Sequence, residues 1–127
     1  MSGTDVLVVG AGAAGLMAAA SAARAGATVV LLEKTARPGF KIGISGGGRC
    51  NVTTALNDPD EILAMIPGNG RFLREALRSH PPEEILALLA RHGVRTRVET
   101  ETRKRFPESD RSQDVIQALL AELRDQG

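Results

Sequence analysis

An aliphatic run, Asp5-Val6-Leu7-Val8-Val9, leads without interruption into Gly10-Ala11-Gly12-Ala13-Ala14-Gly15 and then into an alanine-rich stretch. A continuous apolar run is the pattern of a buried parallel strand, and glycines at this spacing mark a sharp turn from strand into helix. Gly10 permits the turn, Gly12 leaves the main chain open to a phosphate, and Gly15 lets the helix lie close to the strand. The spacing predicts a helix from Ala13 to Ala25 with Gly26 as its left-handed cap. A second run, Thr28-Val29-Val30-Leu31-Leu32, ends in Glu33. That acid stands about 20 residues beyond the glycines, where a carboxylate can accept from both hydroxyls of an adenosine ribose. Unpaired amides at the helix start, with the helix dipole behind them, suit the phosphates. Together these features form a dinucleotide-binding fingerprint whose candidate ligand residues are Gly10, Ala11, Gly12, Ala13, Ala14, Gly15 and Glu33.

The fold expected is therefore α/β and Rossmann-like, with a parallel sheet. The uncharged stretch from Val6 to Ala23 is read neither as a membrane span nor as a signal peptide, because glycines interrupt it and Asp5 stands where a signal peptide wants a positive charge. The chain has 127 residues, 43% hydrophobic, and a net charge of +1, which suits one soluble domain. Lys and Arg number 16 against 15 Asp and Glu, with no Trp or Tyr, so no nucleic-acid partner is expected. A single cysteine excludes an internal disulfide and points to a reducing, cytoplasmic setting. No Cys/His cluster has metal-ligand spacing, so no metal is expected, and His80 and His92 read as surface or capping residues. A mononucleotide-binding half fits this length, whereas a complete dinucleotide enzyme with a substrate domain does not. Residues 1–127 are thus expected to form an incomplete cofactor domain with an additional helical segment.

Lys34 to Thr54 is glycine-rich and aperiodic and is expected to be a loop wrapping a ligand. Asp58-Pro59-Asp60-Glu61 predicts a helix start, with Asp58 as cap and Glu61 reaching back, ending near Ile66. A second helix is expected over Arg71 to Arg78, with Phe72, Leu73 and Leu77 on one face, and a third over Pro82 to His92, stopped by Gly93. Val94 to Glu99 alternates like a half-exposed strand. Arg103-Lys104-Arg105-Phe106-Pro107 reads as a basic turn. A last helix follows, with Asp110 and Gln113 as a reciprocal cap and Val115, Ile116, Leu119, Leu120 and Leu123 as its apolar stripe.

Ser45-Gly46-Gly47-Gly48-Arg49-Cys50-Asn51 is the second passage able to carry chemistry. Consecutive glycines expose successive amides to an anion or a carbonyl oxygen, and Arg49 adds a planar fork of donors suited to phosphate. A flexible surface loop has the same composition. Lys41 offers a further positive charge, and Cys50 reads as a small buried hydrophobe or, alternatively, as a reactive thiol.

Gly39 to Thr53, taken whole, resembles a signature of bacterial FAD-dependent oxidoreductases of the aminoacetone-oxidase-like flavoprotein family, which pair an N-terminal GAGAAG with a GGGRCN loop. Phe106-Pro107-Glu108-Ser109 is similar to that family's FP-x-S segment. Thr54 stands where the family often has Asn, and Arg103 to Arg105 where it often has Gly-Arg. The resemblance implies that this chain is the N-terminal portion of a longer flavin-dependent enzyme performing hydride or electron transfer on a small organic substrate. It implies FAD as cofactor, with its pyrophosphate on Gly10 to Gly15 and its ribose on Glu33. Lys34, Lys41, Ser45, Gly46, Gly47, Gly48, Arg49, Cys50 and Asn51 would line the phosphate, ribityl or flavin side. NAD(P)H is a further candidate partner. No side chain stands out as a catalytic acid or base. An NAD-binding dehydrogenase module and a truncated, non-catalytic nucleotide-binding module remain the alternatives.

Overall fold

The computed structural model describes residues 3–126. It opens on the expected unit: β1 (Val6–Val9), α1 (Ala13–Arg24) and β2 (Val29–Leu32). β1 and β2 are parallel, with Val6 opposite Val29 and Val9 opposite Leu32. The alanine-rich α1 has no β-branched residue to restrict it and presents Leu16, Ala19 and Ala20 to the interior. Its first turn holds no acid, and no side chain caps it at Gly12, so its leading amides have no side-chain acceptor among the described residues. Val8 points toward Gly15 on α1. The opposite face of the strand pair is open, with Leu7 57%, Val9 79% and Leu32 50% exposed. The apolar run thus asks for cover on both faces, and α1 covers one.

After β2 come α2 (Phe40–Ile44), a 3-10 turn (Ser45–Gly48) and β3 (Thr53–Thr54). Lys34 to Thr54 is therefore not the plain loop expected. Ile42 and Cys50 are buried anchors within it, and Gly39, where a Cβ would lie 2.9 Å from Ile116, lets the start of α2 settle against that side chain. The helical segment follows as α3 (Pro59–Ala64), a 3-10 turn (Gly70–Leu73), α4 (Arg74–Ser79) and α5 (Pro82–Arg91). Asp58 caps α3 through the Asp60 amide at 2.9 Å rather than through a reciprocal bond with Glu61. The single helix expected over Arg71 to Arg78 is split into a 3-10 turn and α4, and the turn starts at Gly70, where a Cβ would lie 2.8 Å from the Leu63 carbonyl oxygen. Phe72 is left 82% exposed.

β4 (Thr96–Glu99), β5 (Lys104–Pro107) and α6 (Ser112–Asp125) complete the chain. The basic turn expected at Arg103 to Pro107 is instead the central strand of an antiparallel β3-β5-β4 sheet. Burial of Phe106 and Pro107 outweighs the charge of their neighbours. The reciprocal cap at Asp110 and Gln113 does not form, because Arg97 holds both Asp110 oxygens, at 2.7 and 2.8 Å. α6 is the hub of the interior, touching α1, α2, α5 and β5. Leu16, Leu88, Leu89, Val115, Ile116 and Leu119 form the core there. Glu122 is buried on α6 and accepts from Arg24 at 2.7 Å and Arg91 at 3.1 Å, and it pairs with His92 at 2.8 Å. His92 is a capping residue as expected, at the C-terminus of α5, with its ring turned inward to that carboxylate, while His80 ends α4 and is exposed.

Candidate functional site

The glycine turn, the end of β2, α2 and the α4–α5 junction enclose one cavity of about 1030 Å³, ample for a nucleotide cofactor. Gly10, Gly12, Ala13, Ala14 and Gly15 line it at the start of α1. Gly15 is required by the protein itself, since a Cβ there would strike the Gly10 carbonyl oxygen. Gly12 is different. Its backbone is extended at φ −80° and ψ −172°, a conformation open to any residue, and a Cβ built on it would meet no protein atom within 4 Å.

Ala11 is buried and ties the turn down instead of facing the cavity. Its N–H donates to Glu33 Oε2 at 2.8 Å, and its carbonyl accepts from Gly39 at 2.8 Å. The other Glu33 oxygen accepts from the Thr35 amide at 2.8 Å and the Thr35 hydroxyl at 2.9 Å. Donation from the Thr35 and Ala11 amides holds the Glu33 carboxyl below the usual carboxylate range, so it is ionised at neutral pH. Oε1 accepts twice and Oε2 once, so Oε2 keeps a free lone-pair direction, and Glu33 lines the cavity. The carboxylate is thus held in place and can still accept from a ribose hydroxyl.

Lys34 and Lys41 bring positive charge to the same wall, and Ser45, Cys50 and Asn51 continue it. Gly46, Gly47, Gly48 and Arg49 do not join them; Gly46 and Arg49 lie instead against Phe106 of β5. Cys50 is 6% exposed, and burial pushes its thiol up, which favours packing over reactivity. Among the described residues no group of His, Cys, Asp or Glu is placed to hold a metal ion, and no helix is long and apolar enough to cross a membrane.

Sequence reasoning missed the far wall, formed by Leu77, His80, Pro81, Pro82, Glu84 and Ile85. His80 Nδ1 lies 3.0 Å from Glu84 Oε2 there. Their i,i+4 spacing and the Pro-Pro step were visible in the sequence, but their approach to the glycine turn depends on tertiary packing. Phe40, 64% exposed beside the cavity, offered the clearer signal, being an aromatic residue set in a glycine-rich segment.

A parallel βαβ unit with a bare glycine turn and an acid closing its second strand defines a Rossmann-type nucleotide-binding domain. The chain belongs to the family described as HI0933-like protein Rossmann domain, whose model matches residues 4–127. It is 38% identical over 90 residues to the ribosomal RNA dihydrouridine synthase of Escherichia coli, covering 71% of this chain and 22% of that protein. It is 34% identical over 121 residues to the 3-dehydro-bile acid delta(4,6)-reductase of Clostridium scindens, covering 94% and 28%. A shorter match, 58% over 43 residues, joins it to the 4-oxocyclohexanecarboxylate 2-dehydrogenase of Sinomonas cyclohexanicum, covering 34% and 8%. The chain thus spans between about a fifth and somewhat over a quarter of the length of the first two relatives.

Proposed function

We propose that residues 1–127 are the N-terminal, cofactor-holding part of an FAD-dependent oxidoreductase. Gly12 carries this reading. Neither backbone conformation nor protein packing asks for glycine there, whereas a pyrophosphate approaching the main chain does. In this reading the bare main chain at Gly12 and the uncapped start of α1, Ala13 to Gly15, donate to the pyrophosphate, Gly10 and Ala11 being held by Leu32 and Glu33, and Glu33 accepts from the adenosine ribose. Lys34 and Lys41 neutralise the phosphates, while Ser45, Cys50 and Asn51 border the flavin end. FAD, when bound, supplies hydride and electron transfer, and these residues bind and orient it. Extension of the cavity past the fingerprint to Asn51 and Val52 favours the longer FAD over an NAD-binding module.

Ribosomal RNA, a bile acid and a cyclohexane acid appear in the names of relatives that share parts of this domain. That range of names supports a reading in which substrate choice lies outside the shared segment. The balanced charge of this chain, 16 basic against 15 acidic residues, argues only that this segment is not itself the nucleic-acid contact. A small organic substrate, NAD(P)H as electron partner and a cytoplasmic setting complete the proposal. The test is a visible absorbance spectrum of the 127-residue protein after addition of FAD and desalting, with an ADP titration beside it. A retained flavin spectrum and saturable ADP binding are expected. Binding of NAD with no retained flavin would favour the dehydrogenase alternative, and binding of neither FAD, NAD nor ADP would overturn the assignment of the cavity.

A further inference from the structure

Arg49 was expected to reach a phosphate, and the structure turns it the other way. Its guanidinium carbon lies 4.0 Å from the centre of the Phe106 ring. Its Nε donates to the Gly46 carbonyl at 3.3 Å and its Nη1 to Glu99 Oε1 at 3.1 Å, with Asp110 Oδ1 3.9 Å away. Both carboxylates are themselves held, Glu99 by the Thr102 hydroxyl at 2.8 Å and Asp110 by Arg97. Stacking on an aromatic ring and forked donation together suit a planar guanidinium and not an ammonium.

What Arg49 grips is an unusual stretch of backbone. Gly46, Gly47 and Gly48 are all left-handed, at φ +56°, +69° and +86°, and Cys50 follows at +64°. Gly46 is wedged so that a Cβ would lie 2.8 Å from both the Asn51 amide nitrogen and the Phe106 ring. Phe106 therefore contacts the turn from Gly46 and from Arg49, and the residues flanking that grip, Ser45, Cys50 and Asn51, line the cavity.

We propose that Arg49 is a positioning residue that fastens the Gly46–Gly48 turn to β4 and β5 and so fixes Ser45, Cys50 and Asn51 at the flavin end of the cavity, without touching the cofactor. The inference rests on the FAD reading and adds to it that Glu99, fifty residues further along the chain, helps shape the cofactor site.

Cys50 is the only cysteine in the chain, so thiol labelling reports opening of the turn with no cofactor present. Arg49→Lys and Glu99→Gln are each expected to speed labelling by about tenfold. Each is expected to weaken FAD binding by about five- to tenfold while leaving ADP, which contacts only the fingerprint half, within about twofold. Parent-like labelling and FAD affinity in Arg49→Lys would reduce the role to charge alone and overturn the proposal. Equal weakening of ADP and FAD by Arg49→Lys, with Glu99→Gln silent, would make Arg49 a phosphate ligand and overturn it too. Gly12→Val in the same titrations tests the underlying reading separately. If that variant binds ADP and FAD as tightly as the parent, the cavity assignment fails, while the labelling rates still decide whether Arg49 fastens the turn.

Discussion

At the turn from β1 into α1, a Cβ on Gly12 would meet no protein atom within 4 Å, whereas at the turn after α2 a Cβ on Gly46 would press on both the Asn51 amide and the Phe106 ring. Both turns are glycine-rich, and both invite reading as phosphate cradles. Only the first faces the cavity with its main chain bare. In the second, glycine serves the protein, accommodating left-handed backbone and the approach of an aromatic ring. The first turn itself mixes the two kinds, because Gly15 is there for the Gly10 carbonyl and Gly12 is not. The lesson is that a glycine motif identifies a ligand site only at positions the protein does not need for itself.

Substitution separates the two kinds. The largest effect is expected at Gly15, where even alanine must displace the backbone carbonyl of Gly10 and so push α1 from β1. Gly15→Ala should cost about 4 kcal/mol in urea unfolding, at the upper end for single substitutions. A loss under about 1 kcal/mol would show that α1 can move away freely. Gly12→Val should do the opposite, weakening ADP and FAD by more than about a hundredfold, or some 2.7 kcal/mol. Its unfolding free energy should change by no more than about 1 kcal/mol, since Gly12 is only a helix cap without a side-chain bond. Equal damage to stability and binding would erase the distinction. Gly46→Ala should cost about 2 kcal/mol of stability, through a forced left-handed alanine and the contact with Phe106. The same change paired with Phe106→Leu should cost less than the sum of the two, measured as a double-mutant cycle. Strict additivity would mean that the ring is not what Gly46 accommodates.

The first turn was legible because every element of it is local. Strand, glycines, helix and second strand follow one another within Asp5 to Glu33, and Glu33 reaches back to Ala11 through a pairing that β1 and β2 set directly. β5 was not legible, because Arg103-Lys104-Arg105 reads as a solvated turn until Phe106 is placed between Gly46 and Arg49, more than fifty residues upstream. Glu122 shows the same limit. It follows Val115 and Leu119 at helical spacing on the buried face of α6, but nothing local announces that Arg24 on α1, with Arg91 and His92 at the end of α5, converges on it. The far wall of the cavity, from Leu77 to Ile85, likewise exists only through packing between elements distant in the chain. Periodicity reports which face of an element is apolar, and it does not report which distant charge will meet it.

Glu33 is to the first turn what Arg49 is to the second, an ionised group that fastens glycine-rich backbone to a neighbouring strand, but Glu33 also faces the cavity. Glu33→Gln is therefore expected to have the smallest effect, weakening ADP and FAD alike by about tenfold as the acceptor for the ribose is lost. The pH dependence distinguishes this from general loosening. Because the Thr35 and Ala11 amides hold the folded-state carboxyl below the usual range, the contribution of the ionised form is complete above that range and is lost as pH falls through the lower, folded value. Affinity of the parent protein for adenosine, which carries no titrating phosphate, should then stay level from about pH 8 into the usual carboxylate range and decline only below it. In Glu33→Gln the decline should vanish, leaving a weaker but level profile. An identical acid decline in both proteins would assign it to another group and remove Glu33 from the ribose site. A level profile in the variant, with ADP and FAD weakened together, would set Glu33 apart from Arg49, whose replacement should be felt by FAD alone.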